Sequence, residues 1–259
     1  MTPLTSSAAG RTWPRPPSRV VLSADEIHIW RARLDLPASR IDELAELLSP
    51  DEHDRAARLR LPDSRARFVT ARGCLRRILA SYVGLHPAHL TFYYSETGKP
   101  RLANPSVSAG IRFNLSHSAD LALYAVAAER ELGVDVEYAD RPVNTLRIAN
   151  RFFGAGEAAE LSGLQPEDRP LAFYRCWTRK EAYAKAVGEG LRLVLKRFQV
   201  ARAADDPVSR VHVKGDPSQT GKWAIHDLEP GAGYVAALAV EDRAFRLRLW
   251  EAPPGGPQI

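Results

Sequence analysis

Between residues 90 and 137 the chain is written in short apolar runs broken by turn residues: LTFYYSETGKPRL, IRFNLSHS, LALYAVA and LGVDVE. Apolar runs of this length, bounded by Gly, Pro, Ser and Asn, form strands, and four of them within about 50 residues predict a mostly antiparallel sheet. Such a sheet must bury a face, and the segments on either side supply helices to cover it. Upstream, a strand is expected at 26–34 and a short amphipathic helix at 41–48. Ser49, Pro50 and Glu52 then begin a second helix in the manner of a capping box. A longer helix runs from Asp63 to about Val83, with Phe68, Ala71, Leu75, Ile78, Leu79 and Tyr82 as its buried stripe and Gly84 as its stop. The helical pattern returns at 144–187, and apolar alternation follows at 198–201, 211–213, 223–225, 234–240 and 245–249.

Helices followed by strands thus occur twice around a join near residue 129. The pattern predicts an α+β protein of two similarly built halves, 21–128 and 129–251, and 259 residues suffice for two cores of about 100 to 120 residues. The first twenty residues are rich in Pro, Ser and Thr, lack the apolar core of a secretory signal, and are expected to form a free tail. Residues 252–259, APPGGPQI, share the Pro and Gly bias and are expected to hang free as well.

An apolar fraction of 45% and a charged fraction of 26% exclude a disordered chain, and no apolar run is long enough to span a membrane. Cys74 and Cys176, the only cysteines, fall within helical patterns, which suits buried thiols in a reducing cytoplasm better than a disulfide framework. A formal charge of +5 favours an anionic partner: nucleic acid, a phosphorylated cofactor or an acidic protein surface. The arginines are mixed with acids along the chain and form no basic strip interleaved with aromatics, which argues against nucleic acid.

In LGVDVEYAD, strand alternation turns Val134 and Val136 to one face and Asp135 and Glu137 to the other. Two carboxylates so spaced sit roughly 6 to 7 Å apart at the backbone and can converge on one hard cation such as Mg²⁺ or Mn²⁺. Taken alone, the pair is better read as a half-exposed strand with an acidic outer face. In YRCWTRKEAYAKAVGEG, Trp177, Glu181 and Lys185 follow at steps of four on one helix face. Glu181 and Lys185 can be a surface ion pair, but a tryptophan in line with them marks a face turned toward protein. Gly188 and Gly190 close the segment. SETGKPRL offers a tight glycine turn with Lys99, and FNLSHS ends a strand with Asn114, Ser116 and His117. Arg55, Arg58, Arg67 and Arg72 add cations on two neighbouring helices, read individually as surface residues.

The order GVDVE, RFFGAGE, WTRKEAYAKAVGEGL, preceded by SPDEHDR, TGKPRL and FNLSHS, resembles the 4′-phosphopantetheinyl transferases of the Sfp type over residues 25–245. The resemblance implies an α+β fold of two similar halves, each with helices on a three-stranded sheet, related by a pseudo-twofold axis, with coenzyme A and Mg²⁺ in the cleft between them. It assigns the metal to Asp135, Glu137 and Glu181, and catalysis to Glu181, as proton acceptor, and Lys185. Coenzyme A contacts are implied for Arg55, Gly98, Lys99, Pro100, Ser116, His117, Asp135 and Lys185, with Thr70 and Arg72 as weaker transfers. The implied reaction moves the 4′-phosphopantetheine arm of coenzyme A to a serine of an apo acyl or peptidyl carrier protein and releases adenosine 3′,5′-bisphosphate. No nucleic acid or membrane partner is implied, a monomer suffices, and the expected location is the cytoplasm. The competing class is a non-catalytic module for an acidic protein or nucleic acid, which would keep the arginines and need none of the three carboxylates.

Overall fold

The computed structural model describes residues 12–104, 110–188, 198–200, 208–213, 221–241 and 244–257. Gly190 and Ala201 lie outside the described residues. The strands are β1 (Glu26–Arg33), β2 (Phe92–Tyr94), β3 (Pro100–Leu102), β4 (Ile111–Ser118), β5 (Leu121–Ala128), β6 (Leu132–Tyr138), β7 (Phe198–Val200), β8 (Val208–Val213), β9 (Trp223–Leu228), β10 (Tyr234–Glu241) and β11 (Arg246–Glu251). The helices are α1 (Ala38–Ala45), α2 (Pro50–Ala57), α3 (Pro62–Val83), α4 (Thr145–Phe152), α5 (Ala155–Gly163) and α6 (Arg169–Val187). The α+β class read from the sequence holds.

One sheet has the order β11-β1-β5-β4 and the other the order β6-β10-β9-β8-β7, while β2 and β3 form a separate hairpin. Strand alternation decides how the two sheets meet. Odd-numbered residues of β1 and β5, among them Ile27, Ile29, Leu123 and Ala125, share one core with Val134, Val136, Leu238 and Val240 from β6 and β10. The opposite face of the first sheet, with Trp30, Tyr124 and Val126, packs on Leu75, Ile78 and Leu79 of α3. On the second sheet, Ala237 and Ala239 pack on Ala182, Tyr183 and Ala186 of α6. The layers therefore run helix, sheet, sheet, helix.

Two expectations change. β11, placed in the 129–251 half by its position in the sequence, pairs in parallel with β1, from Glu26 opposite Arg246 to Arg31 opposite Glu251. The last strand therefore completes the first sheet, whose four strands, like the five of the second, exceed the expected three. The tails, where described, are docked. Trp13 donates its indole N–H to Glu229 O at 3.0 Å and lies under the Arg31 guanidinium at 4.9 Å, and Glu251 N–H reaches Pro14 O at 2.8 Å. Beyond β11, Ala252 N–H donates to Arg31 O at 2.8 Å and Arg77 Nη1 to Gly255 O at 3.1 Å. Proline and glycine set the path of these ends, and backbone hydrogen bonds to the core hold them there.

Both cysteines are free, Cys74 buried and Cys176 half-buried, and burial pushes each thiol up to about 12. Among the described residues no helix is long and apolar enough to cross a membrane.

Candidate active site

The site begins with a glycine. A Cβ at Gly133 of β6 would lie 2.2 Å from Ala182 O and 2.4 Å from Ala186 N, so α6 rests directly on the strand backbone there. Asp135 and Glu137 follow on the same face, with Asp135 opposite Ala237 in the β6–β10 pairing. Glu181 and Lys185 flank the contact from the helix side. The four residues thus meet because a helix with period 3.6 lies across a strand with period 2 at the one residue that allows close approach.

Lys185 Nζ donates to Asp135 Oδ1 at 2.7 Å, to Ser116 Oγ at 2.9 Å and to Val134 O at 3.3 Å. Ser116 Oγ donates to the same Asp135 oxygen at 2.8 Å, and Ser118 Oγ to Glu137 Oε2 at 2.7 Å. Trp177 seats the helix, as its place in the stripe suggested. Its ring stacks on Phe173 at 5.8 Å and lies 6.4 Å from Phe153 and 5.9 Å from Phe152, against α4 and the start of α5. Farther along, Arg179 grips Asp227 of β9 with Nε at 2.7 Å.

The charges do not balance. Three carboxylates share the cluster with one ammonium, and Glu181 is only 6% exposed. Burial and the charges of Asp135 and Glu137 push Glu181 up to about 7, against the pull of Lys185. Glu137 is raised as well, by burial and by Asp135, although the Ser118 hydrogen bond opposes this. Asp135 Oδ2 is buried with no hydrogen-bond partner. A buried carboxylate oxygen left open among excess negative charge is a place for a cation, and the oxygen-only donor set fits a hard divalent ion. Among the described residues no three His, Cys, Asp or Glu side chains are drawn together in a group that could hold a metal ion by themselves. Mg²⁺ commonly takes one or two carboxylates and completes its shell with water and substrate phosphate, so an open arrangement fits it.

The remaining sequence candidates are distributed around this cluster. Ser116 and His117 are consecutive on β4 and face opposite ways. Ser116 turns to Asp135. His117 lies on the other face with its edge exposed to solvent, while the protein crowded around the ring, then Lys185 and Arg67, hold it below the ordinary histidine value. Arg55 is exposed on α2 with its guanidinium 5.6 Å from the Phe68 ring.

The glycine turn forms as read: Gly98 has φ +84°, its N–H donates to Ser95 O at 2.8 Å, and Pro100 opens β3. Lys99, however, points inward. Its Nζ donates to Glu131 Oε2 at 3.0 Å, Leu132 O at 3.1 Å and Ala186 O at 2.8 Å. All three ammonium donors are engaged, and the turn is fastened to the end of α6 beside Gly188. What the turn presents outward is Glu96, Thr97 and Gly98, not the lysine charge. Arg72, read as a surface residue, is 7% exposed and bound to Glu52. Gly133 opens the GVDVE motif and Ser118 closes FNLSHS, yet the sequence reading singles out neither for a role, and Glu131 lies in no motif; the spacing of Asn114, Ser116 and Ser118 at the strand period is the signal available.

Comparison with known proteins identifies the family. Residues 131–239 match the family model described as 4′-phosphopantetheinyl transferase superfamily, and residues 37–130 match the model for the N-terminal part of 4′-phosphopantetheinyl transferases. The 4′-phosphopantetheinyl transferase HetI of Nostoc sp. is 40% identical over 241 residues, 92% of this chain and 98% of that protein. The 4′-phosphopantetheinyl transferase Sfp of Bacillus subtilis is 27% identical over 219 residues, 84% of this chain and 93% of that one. A solved holo-(acyl-carrier-protein) synthase from Bacillus anthracis, in complex with CoA (3′,5′-ADP), covers 43% of this chain at 18% identity and a TM-score of 0.35, too slight a likeness to add to the assignment. The chain belongs to the 4′-phosphopantetheinyl transferase superfamily.

Proposed function

We propose that this enzyme transfers the 4′-phosphopantetheine arm of coenzyme A to a serine hydroxyl of apo acyl or peptidyl carrier proteins, with Asp135, Glu137 and Glu181 holding Mg²⁺ or Mn²⁺. The observation that carries the reading is the carboxylate trio, Asp135 and Glu181 buried and Glu137 half-buried, short of a cation beside Lys185 in a chain of this superfamily. A binding module for an acidic protein would have no use for buried like charges that oppose one another.

In the reaction the serine oxygen forms a bond to the pantetheine-side phosphorus, and the bond from that phosphorus to the bridging oxygen breaks. The leaving group is adenosine 3′,5′-bisphosphate. Glu181, on the helix face above β6, accepts the serine proton directly or through water. Lys185 holds a phosphate oxygen and stabilises charge on the leaving group. When bound, the divalent ion supplies charge compensation for the diphosphate. Arg55 and His117 bind phosphate at the nucleotide end, and the turn at Gly98, Lys99 and Pro100 bounds that end through its backbone. The formal charge of +5 assists encounter with an acidic carrier. The enzyme works as a cytoplasmic monomer.

Incubation with Mg²⁺, coenzyme A and a panel of apo carrier proteins, read by mass spectrometry, tests this. The phosphopantetheine adduct is expected on at least one carrier, and no adduct on any of them would overturn the reading.

A further inference from the structure

β6 is an edge strand. It pairs with β10 on one side only, from Tyr138 opposite Tyr234 to Leu132 opposite Val240. The N–H groups of Val134, Val136 and Tyr138 point to the other side and need acceptors. β4, the edge of the other sheet, stands there, yet the two strands share no backbone ladder among the described residues. Side chains take its place. Asn114 Oδ1 accepts from Val134 N–H at 2.9 Å, Ser116 Oγ from Val136 N–H at 3.4 Å, and Ser118 Oγ from Tyr138 N–H at 3.1 Å. The steps are two residues on both strands, so the two edges run in register.

A hydroxyl has one proton to give. Because a backbone N–H fixes the acceptor side of each serine, the proton is left for the acid one position back on β6: Asp135 for Ser116 and Glu137 for Ser118. The acids are thereby held by one oxygen each, and the second oxygen of Asp135 stays open. Any acceptor could satisfy the backbone; only a group that also donates can orient the carboxylate.

We infer that Ser118 is a positioning residue that aims Glu137 as a cation ligand, the second rung of a side-chain ladder that joins the two sheets and sets the metal carboxylates in one operation. This rests on the metal reading above. Ser118 is the informative rung, because Ser116 also contacts Lys185. Partners that orient a ligand typically change metal affinity about 10- to 100-fold when removed.

Binding of Mn²⁺ to the full chain, followed by the loss of the free-ion electron paramagnetic resonance signal, tests the inference without catalysis. Ser118→Ala is expected to weaken Mn²⁺ binding about tenfold and to raise the Mg²⁺ requirement of transfer in step, with the KM for coenzyme A unchanged and Ser118→Thr restoring both. If Ser118→Ala unfolds, Ser118→Cys, which keeps the shape with only a weak S–H donor, must show the same weakened binding. Wild-type affinity in whichever of these variants is folded would overturn the inference. A wild-type chain that binds no Mn²⁺ would instead overturn the metal reading beneath it.

Discussion

The two long helices, α3 and α6, each lie on the outer face of a sheet, each end on a left-handed glycine, and each bury charge, but the charges end differently. On α3, Arg72 and Arg76 converge on Glu52 of α2. Arg72 Nε reaches Glu52 Oε1 at 2.8 Å and Arg76 Nε reaches Oε2 at 2.6 Å, while the capping-box N–H of Ser49 adds a bond at 3.1 Å. Arg76 also donates to Pro87 O and Leu90 O, and both guanidinium groups lie within 5.2 Å of the Phe92 ring. Burial pushes Glu52 up, but the two arginines outweigh it and hold the carboxyl below its ordinary value. On α6 the ratio is reversed, with three acids against one lysine, and Glu181 is driven up to about 7. The first cluster holds its one carboxylate between two guanidinium groups from the same chain, with Arg76 Nη2 left without a hydrogen-bond partner among the described residues, and serves the fold. The second is left short of positive charge within the chain, which is what marks it as the candidate site.

The largest effect that sharpens this contrast is on rate. Glu181→Gln or Asp135→Ala should lower carrier modification about 10³-fold; Glu181→Gln, which removes a like charge from a crowded site, should leave the melting temperature equal or higher, whereas Asp135→Ala also removes the partner of Lys185 and Ser116. Normal turnover in both variants, measured by adduct mass spectrometry, would break the assignment. Glu52→Gln should do the opposite: it strands two buried guanidinium groups and costs about 3 to 5 kcal/mol of stability, with turnover per folded molecule unchanged. Urea denaturation beside the same transfer assay reads both quantities, and a variant as stable as wild type would show that the α3 cluster is not structural.

The smallest effect is a pH dependence. Because the folded value of Glu52 lies below its ordinary 4.5, its stabilising contribution is present above that value and is lost as pH falls through the folded one. The stability gap between wild type and Glu52→Gln should therefore narrow below pH 4.5, as the protonated acid comes to resemble glutamine. Denaturation curves collected across pH 3 to 7 check this, and a constant gap would remove the ion-pair explanation.

Much of the site could be read before the fold was known, because its residues fall within two short motifs. Period-2 alternation separates Asp135 and Glu137 from Val134 and Val136, and i,i+4 spacing aligns Glu181 with Lys185. The inward turn of Lys99 could not be read this way: two of its partners, Glu131 and Ala186, lie 32 and 87 residues away. The burial of Arg72 depends on Glu52, twenty residues distant, and the two helices had to pack before either charge was covered. β11 looked like part of the second half because chain order was the only guide, whereas strand pairing follows the free edge of β1.

The sequence by itself determined which residues are candidates for the chemistry and which local element holds each one, because period, capping and turn preference act over a few residues. Only the tertiary structure decided which charges are neutralised inside the chain and which are left open, because neutralisation requires two elements to meet. It is the absence of a Cβ at Gly133 that lets α6 settle on β6, and the hydroxyls of Ser116 and Ser118 that turn the two strand carboxylates into the wall of a site.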